Sequence, residues 1–289
     1  MELGPIGIWS AALRYGDRGE AGAAARELEE LGFGTLWVPG GAGGDIFSAV
    51  GALLEATTRV TVATGIVNLW MHTAAETAAE HARLTRAHPD RFLLGLGVSH
   101  APLVDAQAPG RYRAPLAAMS QYLDELDAAV PPVPTPERAL AALGPRMLGM
   151  ARDRSRGAHP YLVTPDHTHQ ARAVLGDGPL LAPEQAVVLD ADATTAREVA
   201  RAHLAIYLGL PNYVNNLRRL GFDEPDVQDG GSDRLVDGLV AWGDETAIAQ
   251  RVADHRAAGA DHVCLQVLST DLRALNRPAW RALAGALVS

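Results

Sequence analysis

The sequence predicts a (β/α)8 barrel with a helical insertion between its seventh and eighth strands. Short apolar runs alternate with amphipathic stretches about eight times, the pattern of a parallel sheet wrapped by helices. The 289 residues exceed the ~250 that one closed barrel needs. Hydrophobic residues make up 48% of the chain and charged residues 20%, enough apolar matter for a large core.

The elements follow in order. Pro5–Trp9 is a compact apolar strand. Glu20–Leu31 has Ala24, Leu28 and Leu31 at helical spacing, and Gly32 ends it as a C-cap. Thr35–Val38 is the second strand, and Asp45 caps a helix running to Ala56. Val60–Val67 is β-branched and strand-like. The helix Thr73–His88 stops at Pro89, and Phe92–Val98 is the fourth strand. The helix Arg113–Val130 meets a proline-rich connector over 131–136. Ala139–Leu143 and Ala158–Val163 read as strands, each followed by a helix, and Gln185–Leu189 as the seventh strand. The helices Thr194–Leu210 and Pro211–Leu220 precede a polar loop, Glu224–Ser232. Arg234–Ala241 and Thr246–Ala258 read as helices, His262–Val267 as the last strand and Arg277–Leu287 as a closing helix. The whole chain, 1–289, reads as one barrel domain, with the insertion over 210–232 as lid, dimer contact or plain loop.

Composition excludes several chemistries. The 25 basic residues are all arginine, against 34 acidic residues, for a net charge of −9. Without lysine there is no Schiff-base aldolase, no lysine-anchored pyridoxal enzyme and no P-loop. The acidic balance argues against nucleic acid as a partner. The single cysteine, Cys264, forms no internal disulfide and reads as a core thiol. No run suits a secretion signal or a membrane span, so the expected location is the cytoplasm.

In a barrel the reacting groups follow the strand ends. Metal is disfavoured there: neither His-x-His after the first strand nor His-Glu-x-x-His occurs. Asp166-His-Thr-His169 reads as surface polarity, because i,i+2 neighbours do not share a helix face. No Gly-x-Ser-x-Gly elbow or carboxylate pair supports hydrolase or glycosidase chemistry. The rim instead offers glycines (Gly40–Gly44, Gly65, Gly97, Gly144) and aromatic planes (Trp9, Trp37, Trp70, Tyr161), which suit a flat, phosphate-bearing cofactor.

Ala63-Thr-Gly-Ile-Val-Asn68, His88-Pro-Asp-Arg-Phe-Leu-Leu-Gly-Leu-Gly-Val-Ser99, Leu143-Gly-Pro-Arg-Met147 and the helix-to-strand segment 243–263 occur in this order. Together they resemble the bacterial-luciferase-like superfamily, most closely its branch that uses the deazaflavin coenzyme F420. The resemblance covers nearly the whole chain. It implies a barrel that transfers hydride between the deazaflavin and a small organic substrate, and it implies a homodimer; the apolar, aromatic rim with few charges points to a mostly apolar or carbonyl-bearing molecule. It implies that Gly65, Ile66, Val67 and Asn68 form a bulge behind the central ring, with a cis peptide at Gly65–Ile66. By the same resemblance Gly97, Val98 and Ser99 meet the ring or ribityl chain. Ala141, Ala142, Leu143, Gly144, Pro145 and Arg146 then meet the ribityl chain and phosphate. One departure stands out: sugar-phosphate dehydrogenases of this branch carry an Asp-His pair where this chain has Gly40-Gly41.

Within that frame His72 and Tyr161 are the candidates for a proton role, with His100 behind them. The plain alternatives are a solvated helix-start histidine and rim packing. Trp9, Trp70, His100, Tyr207, Asn212, Tyr213 and Asn216 are the candidate substrate contacts; core burial, insertion packing and a dimer interface remain open for them. Arg146, Arg152 and Arg154 form the expected arginine patch for an anionic cofactor tail. Two further readings stay open: an FMN-dependent luciferase-like monooxygenase, and a protein that binds flavin without turnover.

Overall fold

The computed structural model describes residues 1–41, 43–271 and 274–288; Ala42 of the Gly40–Gly44 run lies outside them. The chain begins with β1 (Ile6–Trp9), the short α1 (Ala12–Tyr15) and α2 (Arg18–Glu30), then β2 (Thr35–Pro39) and α3 (Ile46–Ala56). Next come β3 (Thr61–Gly65), β4 (Val67–Asn68), α4 (Ala74–Ala87) and β5 (Phe92–Gly97). After α5 (Ala101–Asp105) and α6 (Pro115–Ala128) follow β6 (Arg138–Leu140), α7 (Pro145–Arg154), β7 (Gly157–Ala158) and α8 (Pro165–Leu175). The strands β8 (Leu180–Leu181) and β9 (Glu184–Val188) are two halves of one barrel position, separated by Pro183.

After β9 come α9 (Ala193–Leu208), α10 (Pro211–Arg219), α11 (Glu224–Val227), α12 (Asp233–Leu239) and β10 (Val240–Trp242); the expected insertion over 210–232 takes in α10 and α11. The chain ends with α13 (Glu245–Ala257), β11 (Val263–Val267) and α14 (Arg277–Leu287). The strands pair in parallel in the order β1, β2, β3, β5, β6, β7, β8, with β4 also on β5, while β9 pairs β11 and β11 pairs β1; with β8 and β9 at one position this closes the barrel.

Alternation along the strands sorts the core. Ile6, Ile8, Leu36 and Val38 face the helices, whereas Trp9 and Trp37 join Ala63, Leu93, Ala139 and Cys264 in the barrel interior. Trp37 is therefore an interior plug and not a rim aromatic. It stacks on His159 at 4.0 Å and donates through Nε1 to His262 Nε2 at 3.1 Å. His262 in turn donates from Nδ1 to the Gly4 carbonyl at 2.8 Å.

Helix starts follow local rules. The Asp17, Asp45, Asp192 and Asp244 carboxylates accept from the first turns of α2, α3, α9 and α13, and Thr73 with Glu76 forms a capping box on α4.

Four expectations need correction. The sixth strand is only Gly157–Ala158, because Pro160 has no N–H for the ladder and Leu162 adopts φ 57°. The fifth strand ends at Leu140. Val240–Trp242 leaves the helix and pairs with Ala186–Val188, since a β-branched and aromatic run finds a free sheet edge there. The polar loop 224–232 opens with the short helix α11.

The insertion has its own core. Leu204, Leu210, Tyr213, Leu217, Phe222, Leu235 and Leu239 pack onto Leu162, Ala186, Val188 and Leu268. Burying one such leucine stabilises by about 1.5–3 kcal/mol. This core fixes α9 and α10 over the C-terminal mouth of the barrel.

A buried polar chain ties the layers together. Gln185 Nε2 donates to the Leu239 carbonyl, so its Oε1 accepts from His255 Nε2–H at 2.9 Å. His255 Nδ1 then accepts from the Thr168 hydroxyl at 2.8 Å.

Candidate functional site

The mouth is built from strand ends. Between β3 and β5 the register runs Val62↔Phe92 and Ala63↔Leu93; between β4 and β5 it runs Val67↔Leu96 and Asn68↔Gly97. The register slips by one residue, which is a bulge. The Gly65–Ile66 peptide inside it is cis. The side chain of Ile66 rests over Gly97. Gly65 faces inward, where a Cβ would lie 2.8 Å from Trp9 Nε1 and 3.0 Å from His159 Nε2. Gly40 faces the bulge from the β2 side, and any side chain there would run into the Ile66 carbonyl oxygen. The Gly40 carbonyl is held by Arg14 and by the Tyr15 hydroxyl. Arg14 also donates to the carbonyls of Pro39, Gly43 and Gly44.

Opposite this glycine-lined floor stands a wall of tyrosines. Tyr161 lies 5.6 Å from Trp9, 5.4 Å from Tyr207 and 6.3 Å from Tyr213, centroid to centroid. Its hydroxyl donates to Gln266 Oε1 at 2.7 Å. That uses its one proton, so in the 2.9 Å contact with Tyr207 it accepts from the Tyr207 hydroxyl. Burial, with Tyr207 and Glu184 nearby, pushes the Tyr161 hydroxyl well above the usual phenol range. Tyr161 stays partly exposed, as do Gly65, Ile66, Trp70, Val98, Ser99, His100, Ala141, Leu143, Gly144 and Tyr207. These partly exposed residues follow the C-terminal ends of the strands.

The helix α10 meets the barrel through His100, whose Nδ1 lies 2.9 Å from Asn212 Oδ1 and whose ring is 5.1 Å from Tyr213. Burial lowers the His100 pKa, partly offset by the Asn212 contact. Trp70 is fixed by donating from Nε1 to the Val98 carbonyl at 2.7 Å and by its Tyr112 ring contact. Asn68 is buried and accepts from the Trp70 backbone N–H. Val67 and Ala142 turn their side chains into the helix-facing core, so at the mouth they offer backbone. His72 sits apart from the tyrosines, against Phe47 at 5.5 Å, and burial lowers its pKa against the opposing pull of Glu76 and Asp45.

At the start of α7, Gly144 gives no side-chain cap and Pro145 follows at the first helical position, leaving the next N–H groups open. Arg219 reaches this spot from α10. Its Nη2 lies 3.6 Å from where a Gly144 Cβ would be, and it donates to Asn216 Oδ1 at 3.0 Å. Arg219 and Arg146 make no ion pair among the described residues. The expected arginine patch is otherwise corrected: Arg152 pairs with Asp153, and Arg154 with Asp124 and Asp127. The Asp166–His169 reading is corrected too, since His167 is 3% exposed and donates from Nε2 to the Leu143 carbonyl, bracing the same loop. No group of three or more potential metal ligands occurs among the described residues.

Sequence reasoning missed Arg219, Gln266 and Glu184. Glu184 is 1% exposed inside the barrel; Oε2 accepts from the Leu162 N–H at 3.1 Å, and burial pushes its carboxyl up to about 8. An inward-facing carboxylate at the start of a buried strand was the available signal. Trp9 Nε1, His159 Nε2, His167 Nδ1, Glu184 Oε1, His203 Nε2 and Asn216 Nδ2 are buried polar atoms without a protein partner. Unpaired polar atoms are costly, and two of these, Trp9 Nε1 and His159 Nε2, lie within 3.0 Å of where a Gly65 Cβ would be. The residues fit a flat cofactor with a phosphate tail: a backbone floor, an aromatic wall and an open helix start beside an arginine. No described helix is long and apolar enough to cross a membrane.

Comparison with known proteins agrees with this geometry. A putative coenzyme F420-dependent oxidoreductase of Mycobacterium tuberculosis is 24% identical over 90% of this chain and 93% of its own. An F420-dependent secondary alcohol dehydrogenase, solved with an F420–acetone adduct, superposes with TM-score 0.77 at 15% identity, covering 99% of this chain and 98% of that one. The oxygenating constituent of 3,6-diketocamphane monooxygenase from Pseudomonas putida, solved with FMN, superposes with TM-score 0.71 at 14% identity over 98% and 96%. The luciferase-like monooxygenase family model matches residues 5–262, and the chain belongs to that family.

Proposed function

We propose that the chain is an F420-dependent oxidoreductase that transfers hydride between the deazaflavin and a small, mostly apolar organic substrate. The observation that carries this reading is the bulge at Gly65–Ile66, with its cis peptide, beside the Trp9–Tyr161–Tyr207 aromatic contacts. Gly65, Ile66, Val67 and Asn68 back the ring; Gly97, Val98 and Ser99 flank it. The phosphate lies at Ala141–Arg146, where the open N–H groups of α7 and Arg219 supply the positive end without lysine. When bound, the deazaflavin supplies the hydride chemistry. The protein then contributes position, exclusion of water and one proton-handling group. Tyr161 stands at the substrate's seat, and His72 lies further out on the rim. Trp9, Trp70 and His100 wall the substrate, with Tyr207, Asn212, Tyr213 and Asn216 above it on the insertion.

The F420-dependent relative supports this cofactor. The FMN-bound neighbour supports the second reading, an FMN-dependent monooxygenase. A titration of the purified protein with each cofactor, followed by fluorescence, separates them. Saturable binding of the deazaflavin and weak binding of FMN is the expected result. The reverse order sinks the first reading, and binding without hydride exchange favours a flavin-binding protein. A homodimer in the cytoplasm remains part of the proposal, and sedimentation of the purified chain checks the dimer.

A further inference from the structure

Tyr161 is poorly equipped to give a proton away. Its hydroxyl proton is committed to Gln266 Oε1, an amide oxygen that only accepts. The proton it receives comes from Tyr207, another phenol. Neither end of this chain holds an acid.

Glu184 differs on each count. It opens β9, paired in register with the inward-facing Cys264, so its side chain enters the barrel. Its Oε2 is pinned by the N–H of Leu162, the residue after Tyr161. Oε1 is buried and has no partner. No arginine or histidine pairs with this carboxyl among the described residues. The titratable groups that feel its charge are Tyr161, Tyr207, Tyr213 and Cys264, all of which stay neutral there. A carboxylate so placed has nothing to compensate its charge, so the neutral acid is the resting form. With Oε2 accepting from Leu162, the proton belongs on Oε1.

We propose that Glu184 is the proton donor of this site, giving its Oε1 proton to the oxygen of a carbonyl substrate seated against Tyr161 and Tyr207. This rests on the F420 reading and gives it a direction and a substrate class: reduction of a ketone or conjugated carbonyl. The carbonyl carbon receives a hydride from the reduced deazaflavin. The carbon–oxygen π pair moves onto oxygen, and that oxygen takes the Glu184 proton. The products are an alcohol, the oxidised deazaflavin and the Glu184 carboxylate, which regains a proton from water after the alcohol leaves. Oε1 is out of reach of solvent in this conformation, so contact requires the side chains packed around it to move as substrate enters.

Infrared spectroscopy of the ligand-free protein tests the resting state. A carboxylic-acid C=O band is expected at pH 7, lost on raising the pH through about 8 and absent in Glu184→Gln. The glutamine keeps the Leu162 contact, which guards against misfolding. Turnover is then followed as oxidation of the reduced deazaflavin by acetone, cyclohexanone and cyclohexenone. Glu184→Gln should lower kcat about 100-fold or more at unchanged KM, and the basic limb of the wild-type kcat profile should vanish. Tyr161→Phe removes part of the oxygen's seat but keeps that limb. Absence of the acid band at pH 7, a kcat for Glu184→Gln within threefold of wild type, or no oxidation by any of the three carbonyls overturns the proposal. In those cases binding of the deazaflavin leaves the cofactor assignment standing; failure of wild type to bind it overturns both.

Discussion

Mild acid should unfold this protein, and buried histidines set the range. His159, His203, His255 and His262 are each less than 9% exposed, and burial lowers them to about 4, 4, 3 and 4. In the unfolded chain each titrates near ~6.5. The folded values are depressed, so below that pH the unfolded state binds more protons, and folding is strongest above it. Each unit of pH lost costs about 1.4 kcal/mol per histidine, or about 5.5 for four. Glu184 opposes them: its folded value of about 8 is raised, so its contribution grows as pH falls towards the ordinary carboxyl range, returning about 1.4 kcal/mol per unit. The net loss is about 4 kcal/mol per unit, near 6 by pH 5, against a typical total of about 5–15. Burial also lowers His81 to about 4, but Glu137 Oε2 lies 3.1 Å from its Nε2 and gives the protonated ring a partner, so it adds less to the slope. Urea unfolding followed by tryptophan fluorescence between pH 7.5 and 5 measures the slope. His203→Phe, which removes one titrating group with no hydrogen-bond partner on Nε2, should make it shallower by about a third. A urea midpoint that stays level from pH 7 to pH 5.5 refutes the reasoning.

Three other outcomes follow from single contacts. Arg219→Met should weaken deazaflavin binding about 10-fold or more and flatten its salt dependence, since the guanidinium stands beside the open start of α7; fluorescence titration at two ionic strengths reads both. Gly40→Ala should displace the bulge through the Ile66 carbonyl, destabilise by about 1–3 kcal/mol and reduce cofactor affinity, measured by thermal unfolding and titration. Thr168→Val leaves the buried Nδ1 of His255 without a donor and should cost about 1–3 kcal/mol in urea.

How much of this was legible in the sequence depends on the range of the interaction. The strands β1, β2 and β5 and the capped helices were readable because their signals are local: apolar runs, Asp or Thr caps, a proline stop. The sixth strand was overread because Ala158–Val163 looks extended by composition. Its pairing is ended by one missing N–H at Pro160 and by the positive φ of Leu162, which Glu184 holds from another strand. Trp9 and Trp37 both read as rim aromatics in sequence, yet they pair in register across β1 and β2 and are buried in the barrel interior, 8% and 0% exposed. Closure of the sheet, which no local signal carries, puts them inside. Arg219 was missed because the charge that reaches the α7 start comes from more than 60 residues downstream, through a helix whose docking depends on the insertion's own core.

The exchange of Asp-His for Gly40-Gly41 is more than a deletion. At Gly40 the bulge carbonyl of Ile66 occupies the space a side chain needs, and Arg14 and Tyr15 hold the glycine carbonyl in place. The β2 side of the mouth is thereby fixed as a backbone surface with no proton to give or take at position 40. Polar side chains are concentrated on the opposite side, where Tyr161, Tyr207, Gln266 and Glu184 come from the sixth strand's loop, α9, β11 and β9. On the proposed function, substrate chemistry falls to residues of the sixth to eighth strands, and a substrate oxygen is expected to face away from β2. Gly41→His should not produce sugar-phosphate oxidation, because Tyr161, Tyr207, Gln266 and Glu184 offer no cation to a sugar phosphate.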